Sequence, residues 1–430
     1  MGSERYRAGL ALLAAIPWLS GCSPEARRPN LLLVTVDTLR ADALGSYGYD
    51  RPTSPRLDAW AARAQRFDAA QATSSWTLPT LATLHTGLLP SSTHTPDFAS
   101  SLPLGQETLA ERLRGAGYET AAIVNHTFLG IRHGLHQGFT HFDDDMVLFV
   151  ADSHRAVTSD RVTERALDFL ERVEAPGALS ADRPWFLWVH YFDPHDAYLA
   201  HEGFSDPFGI ETDRDLYDGE IAWTDHHLGA LLEHLERSGL DEETLVCVVA
   251  DHGEEWEDHG GTGHGLTLFD EVVRVPLLFA GPGVEPGVVE TPVSTLDVFP
   301  TLLTRLGLEV PSGLGGQALN GQVADERDLV AELDLGPTVD FDALRRGRHK
   351  LIVDRNNGEV SLYDLDEDPH EQRDLAALRP ELVRELEAAL EAELSAAREA
   401  GDATRPEFSL DLSSGELEAL ERLGYGDGDR

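Results

Sequence analysis

Two acidic motifs far apart in the chain end apolar runs in groups able to hold a metal ion. One is Asp37 in Leu31-Leu32-Leu33-Val34-Thr35-Val36-Asp37-Thr38-Leu39-Arg40; the other is Asp251-His252-Gly253 after Thr244-Leu245-Val246-Cys247-Val248-Val249-Ala250. Carboxylate oxygens and an imidazole nitrogen are ligands for a divalent cation. A third segment, Ser75 to Gly87, carries Thr77 two residues before Pro79. Proline suits a first helical turn and glycine a helix end, so Thr77 is expected at a helix N-terminus. There the free N–H groups and the helix dipole favour negative charge. A hydroxyl so placed and bound to a cation gives up its proton more readily and becomes a nucleophile. The bland alternative is a threonine that only caps its helix.

The elements that must position these groups are legible as well. Both apolar runs read as strands buried on both faces, as in a parallel sheet. In open α/β sheets ligands bind beyond the carboxyl ends of the strands, so both motifs deliver their ligands to one edge. Strands are expected over 31–37, 120–124, 184–191, 244–250 and 275–280, and helices over 54–66, 77–86, 106–116, 154–173, 217–237 and 296–306. This alternation predicts an α/β sandwich with a mostly parallel central sheet over residues 30–325. Residues 326–400 read as a small α+β subdomain. Its hairpin turns at Asn356-Asn357-Gly358, and a helix over 379–400 repeats Leu382, Val383, Leu386, Leu390 and Leu394 at helical spacing. Residues 401–430 read as a tail in which a short helix is expected to begin near Ser413, with Glu416 completing a capping box.

The 430 residues suffice for one large domain and a smaller one, and 41% hydrophobic content is ordinary for a globular chain. A formal charge of −42 argues against nucleic acid as a partner, because an acidic surface repels phosphate backbones. Lys350 is the only lysine. A GC-rich genome and adaptation to salt both explain that bias.

Arg5 and Arg7 followed by the apolar stretch Ala8–Trp18 read as an export signal too short to span a bilayer. Leu19-Ser20-Gly21-Cys22 then resembles the lipobox of bacterial lipoproteins. The resemblance implies removal of residues 1–21, lipidation of Cys22, a linker over 22–29, and anchoring in the cell envelope without a spanning helix. Ser23 resembles the signal for an outer membrane. Cys247, the only other cysteine, lies in an expected core strand, so no intramolecular disulfide is expected.

Taken together, the motifs resemble the sulfatase family within the alkaline phosphatase superfamily. The resemblance rests on Asp37 to Gly48, Thr77-Leu78-Pro79 through Thr86-Gly87, Asp193-Pro194-His195, Asp251-His252-Gly253-Glu254, Val275-Pro276-Leu277, and Leu362-Tyr363-Asp364-Leu365-Asp366-Glu367-Asp368-Pro369. It implies an alkaline-phosphatase-like fold and a metal-dependent ester hydrolase. Asp37, Asp251, His252 and Thr77 would hold one divalent ion: Ca, Mg or Mn, with Zn open and a second ion less favoured. His195 would contact substrate and serve as general acid.

The chain departs from the family pattern in three places. Thr38 stands where a second ligand Asp is frequent. Thr77 stands where sulfatases carry the Cys or Ser that becomes formylglycine, and Leu81 replaces the Arg of that motif. A threonine ester lacks the second hydroxyl through which formylglycine hydrate expels sulfate, so water must attack it. Phosphoryl groups tolerate that two-step displacement, as do the superfamily's phosphatases, phosphodiesterases and phosphoethanolamine transferases. Finally, His264 stands at the position of the family lysine that contacts the substrate oxyanion, and can bind the oxyanion, protonate a leaving group or join Asp193 and His195 around a second ion. Asn125 and His126 fall near a second family Lys/His pair that is not reproduced; His126 is a candidate substrate contact.

Glu254, Glu255, Glu257 and Asp258 read as solvated loop carboxylates, and Asp225, His190 and His259 as supporting residues. The expected activity is hydrolysis of phosphate or phosphonate esters. The alternatives are a sulfuric ester hydrolase, a phospho-headgroup transferase acting on envelope glycans or lipids, and a non-catalytic binding protein. The expected substrate is a small-molecule, lipid or glycan ester.

Overall fold

A computed structural model describes residues 27–146, 158–175, 183–321, 323–324 and 326–401. The expected signal peptide, lipidated Cys22, most of the linker and the tail helix lie outside the described residues. The apolar runs form strands: β1 (Asn30–Val36), β2 (Gln65–Gln71), β3 (Glu119–Ile123), β4 (His141–Asp143), β5 (Trp185–Tyr191), β6 (Thr244–Ala250), β7 (Arg274–Ala280) and β8 (Gly287–Val289). They lie in the order β8-β2-β7-β6-β1-β5-β3-β4. On this path β7 alone runs against its neighbours; the other pairings are parallel.

Every residue of β1, β5 and β6 is buried, which is why these runs are continuously apolar. The cover is supplied by α1 (Pro55–Ala61), α2 (Thr77–Thr86), α3 (Leu109–Gly115), α4 (Ser159–Glu174), α5 (Asp213–Ser238) and α6 (Val298–Arg305). Helices α1 and α4 pack on α5, whereas α2 packs against α3 and α6. Register then fixes the edge that matters. Val36 lies opposite both Ala250 and Tyr191, so Asp37, Asp251 and Phe192 leave the sheet side by side. Ile123 lies opposite Val189, which brings Asn125 and His126 to the same edge.

The C-terminal part is an antiparallel sheet of β9 (Asp328–Asp334), β10 (Asp340–Arg346), β11 (His349–Asp354) and β12 (Val360–Asp364), in that order. Alternation sorts its residues between two cores. Val330, Leu344, Leu351, Val353 and Leu362 meet Leu386, Leu390 and Leu394 of α7 (Pro380–Gly401). Ala331, Leu333, Ala343, Ile352 and Tyr363 join the core of the large sheet. At the β11–β12 turn Gly358 alone takes positive φ, at 75°.

Two expectations need correction. The helix expected over 54–66 ends at Ala61, and β2 begins at Gln65. Leu57, Trp60, Ala61 and Ala64 keep helical spacing, but the chain turns at Arg63 and pairs with β7. Strands β9 and β10, read only as part of a mixed subdomain, are interrupted by acidic and basic residues. Burial of Glu332, Asp342 and Arg345 conceals their strand character in the sequence.

Candidate active site

Thr77 is the first residue of α2 and is 1% exposed. The preceding Trp76 takes the N-cap position with extended backbone and makes no side-chain cap. The Thr77 hydroxyl lies 3.2 Å from His252 Nε2. Gly87 closes α2 at φ 71°, its amide bonded to Thr83 O at 2.8 Å.

Asp37, Asp251 and His252 are fully buried and place one ligand atom each within 4.8 Å of the others. His252 Nδ1 faces Gly253 O at 3.0 Å and donates to it, which leaves the Nε2 lone pair free. That nitrogen lies 3.8 Å from Asp37 Oδ1 and 3.7 Å from Asp251 Oδ2. Neither of these oxygens has a hydrogen-bond partner. Their companions are satisfied: Asp251 Oδ1 accepts from the amides of His252 (2.8 Å) and Thr38 (3.3 Å). Gly253 has no room for a side chain, since a Cβ there would meet Glu271 O at 2.1 Å.

Asp37 Oδ2 is held by a chain of polar groups from β5 and β1. Trp188 Nε1 donates to Thr35 Oγ1 (3.0 Å), the Thr35 hydroxyl meets His190 Nδ1 (2.9 Å), and His190 Nε2 meets Asp37 Oδ2 (3.2 Å). The chain is consistent when Nε2 carries the proton and donates to the carboxylate. Burial keeps the His190 ring neutral, lowering its pKa to about 4. Tyr217 Oη braces the Asp37–Arg40 turn, donating to Thr38 O (2.7 Å) and accepting from Arg40 N (3.0 Å). Thr38 itself sits at φ 51°.

Two bare carboxylate oxygens facing each other in a dry site are costly, and a divalent cation offsets that cost. Burial, then Asp251, pushes the Asp37 carboxyl well up. Burial works to lower the His252 ring, but Asp251 and Asp37 outweigh it and raise it. The donor set therefore fits a divalent ion. Both groups must lose protons to bind it, so affinity falls as pH falls. Chelation is expected to lower Tm and reloading to restore it. Ion at a hundredfold above Kd contributes about 2.7 kcal/mol. The chelator-induced shift should be larger at pH 8 than at pH 5.5, because the repulsion the ion relieves grows as Asp37 ionises. Equal melting curves with and without chelator at pH 8 would sink this assignment.

Three further rings complete the edge. The His264 ring centre is 4.5 Å from His252 and 4.7 Å from His195. His195 stacks on Phe192, and its Nδ1 faces Asp196 O at 2.5 Å. His126 is 5.7 Å from His195, wedged against Phe128 and Phe192, with Nδ1 accepting from Phe128 N. Thr77, His195, His252 and His264 thus meet around one point, and His126 lies one ring further out.

Other candidates go elsewhere. Asp193 accepts from Thr158 N, Thr158 Oγ1, Ser159 N and Trp223 Nε1, so it holds the start of α4 and does not join His195 and His264 around a second ion. Asp225 accepts the amides of Arg56 and Leu57 at the start of α1. His259 stacks on Phe269 and bonds Glu271. The solvated-loop reading fails for Glu254 and Glu255, which are 0% and 2% exposed. Glu255 Oε1 accepts the amides of His259 and Gly261. Glu254 Oε1 lies 2.9 Å from His264 Nδ1, and Oε2 accepts from Tyr198 Oη at 2.8 Å. Burial raises the Glu254 pKa to about 7. Tyr198 carries no local signal in the sequence; only the fold brings it here.

Comparison with known proteins bears on the family. A choline-sulfatase of Rhizobium meliloti is 27% identical, the match covering 81% of this chain and 82% of the relative. Arylsulfatase A of Bos taurus is 31% identical, over 70% of this chain and 68% of the relative. The crystal structure of a phosphonate monoester hydrolase of Agrobacterium radiobacter superposes with a TM-score of 0.70 at 22% identity, over 86% of this chain and 96% of that one. Residues 29–308 match the family described as Sulfatase, which places the chain in the sulfatase family of ester hydrolases.

Proposed function

We propose that this chain hydrolyses phosphate or phosphonate esters with Thr77 as nucleophile. The observation that carries the reading is a buried threonine hydroxyl on the first residue of a helix, 3.2 Å from His252 Nε2 and beside two orphaned carboxylate oxygens. Asp37, Asp251, His252 and Thr77 would hold one divalent cation. Bound there, the cation lowers the proton affinity of the hydroxyl and offsets charge on the phosphoryl oxygens. Thr77 Oγ, its proton given up to solvent, attacks phosphorus in line as the bond to the leaving oxygen breaks, forming a phosphoryl- or phosphonyl-threonine ester. His195 and His264 orient the phosphoryl oxygens and supply the proton the leaving alkoxide takes up. Water then attacks phosphorus from the vacated side, releasing the acid and regenerating the hydroxyl.

The fold is shared by sulfatases and by a phosphonate monoester hydrolase, so it leaves the transferred group open. Sulfuric ester hydrolysis is therefore the second reading, supported by the curated relatives. Turnover of 4-nitrophenyl sulfate, phosphate and phenylphosphonate on reloaded protein decides between them. The phosphonate or phosphate ester is expected to exceed the sulfate by at least about tenfold; a faster sulfate would overturn the threonine argument. Turnover that appears only with an added alcohol acceptor would mark a transferase.

The net charge of −42 disfavours polyanionic polymers and favours a small ester or a lipid or glycan headgroup. No described helix is long and apolar enough to cross a membrane. Anchoring through acylated Cys22 is the arrangement we infer for the envelope. Fatty-acid labelling that Cys22→Ser does not abolish would remove it.

A further inference from the structure

We propose that Glu254, steadied by Tyr198, is a positioning residue that holds His264 for proton delivery to the departing oxygen. The inference rests on the phosphoryl-transfer reading above. The rings at the sheet edge differ in what their Nδ1 atoms face. His195 faces Asp196 O and His252 faces Gly253 O, and a neutral carbonyl fixes a tautomer without balancing charge. His264 Nδ1 faces Glu254 Oε1 at 2.9 Å. His190 also meets a carboxylate, but that is Asp37, a ligand of the candidate metal site. His264 Nδ1 thus faces a carboxylate not assigned to the ion, the arrangement by which an acid orients an imidazole and stabilises its charged form.

The carboxylate is held from several directions. Tyr198 Oη donates to Oε2 at 2.8 Å, and the Tyr198 ring packs against Trp256 with centres 4.8 Å apart. Glu254 N donates to Glu271 O at 3.1 Å, and Arg40 Nη1 donates to Glu254 O at 3.0 Å. Arg40 is itself held by Asp42 and Asp258. Glu254 therefore has little freedom to turn away, and the plane of the His264 ring follows from its position. In the reaction the Nε2 proton moves to the oxygen whose bond to phosphorus breaks, while Nδ1–H stays on Glu254. The water that cleaves phosphothreonine returns a proton to Nε2.

The test compares leaving groups within one phosphoryl series, on metal-loaded enzyme. A 4-nitrophenolate leaves without help, whereas a benzyl alkoxide needs a proton. Glu254→Gln is expected to lower kcat for the benzyl ester about 10–100-fold and to leave the 4-nitrophenyl ester within about threefold. Tyr198→Phe should move the same ratio in the same direction by less, and covers the case in which Glu254→Gln folds poorly. Added to His264→Ala, Glu254→Gln should have no further effect, since the two act as one unit. Equal losses on both esters, or an undiminished Glu254→Gln effect without His264, would overturn the proposal and leave Glu254 a packing residue. If the wild type cleaves only sulfate esters, the phosphoryl reading fails; the same leaving-group series run as sulfates then decides the role of Glu254 separately.

Discussion

Thr77→Ala is expected to reduce kcat/KM by at least about a thousandfold while leaving the fold intact, since nucleophile removal in covalent catalysis leaves only residual binding and electrostatics. The substitution costs one hydroxyl contact, to His252, and the start of α2 does not depend on that hydroxyl. A threonine that only capped its helix would show the opposite pattern: a stability loss of about 1 kcal/mol with turnover preserved. Measurement at saturating cation separates loss of the nucleophile from loss of an ion ligand. Thr77→Ser keeps the hydroxyl and loses one methyl group, so it should retain activity within about tenfold and alone still accumulate a phosphoryl adduct in intact-mass spectra. Persisting turnover in Thr77→Ala would assign the attack to water and remove the covalent step.

The ligand edge was legible because it is built from strong local signals. Continuous apolar runs before Asp37 and Asp251 specify strands buried on both faces, and parallel register then leaves little choice about where their last residues go. The Pro79 and Gly87 punctuation bounded α2 closely for the same reason. What failed to show in the sequence are features that depend on distant partners. Glu254 sits in a run of acidic residues that reads as solvated, and its burial is created by Tyr198, 56 positions earlier, and by the loop that returns at His264. Strand β2 carries Gln65, Arg66 and Asp68 without an alternating apolar pattern, and it pairs through segments distant in sequence, β7, β8 and Val293–Ser294. Asp193 looks like a ligand beside His195, yet the backbone turns it to the start of α4, where amide and hydroxyl donors use both its oxygens. Type and spacing gave the candidates; only packing told the supporting groups from the reactive ones.

The largest effect on stability is expected at Lys350, which sequence reasoning singled out only as the sole lysine. Its side chain is 0% exposed, with Nζ 2.7 Å from Asp270 Oδ1 and 2.9 Å from Glu371 Oε1. Glu371 Oε2 in turn accepts the Asp270 amide at 2.6 Å. The ammonium belongs to β11, and Asp270 opens the one-turn helix Asp270–Val273 that leads into β7, so the cluster ties the C-terminal sheet to the segment just beyond His264. Burial works to lower the Lys350 pKa, but Asp270 and Glu371 outweigh it and keep the group charged. Removing one member of a buried ion cluster leaves the others uncompensated, at a cost of about 3–5 kcal/mol. Lys350→Ala is expected to lose that much in chemical denaturation. Lys350→Met with Glu371→Gln should recover part of the loss, because it removes a stranded charge and keeps the volume filled. Because the cluster anchors the segment carrying His264, folded Lys350→Ala should also lose activity on poor leaving groups first. A destabilisation under about 1 kcal/mol would mean that water reaches the ammonium and that the two parts of the fold are held by their other contacts.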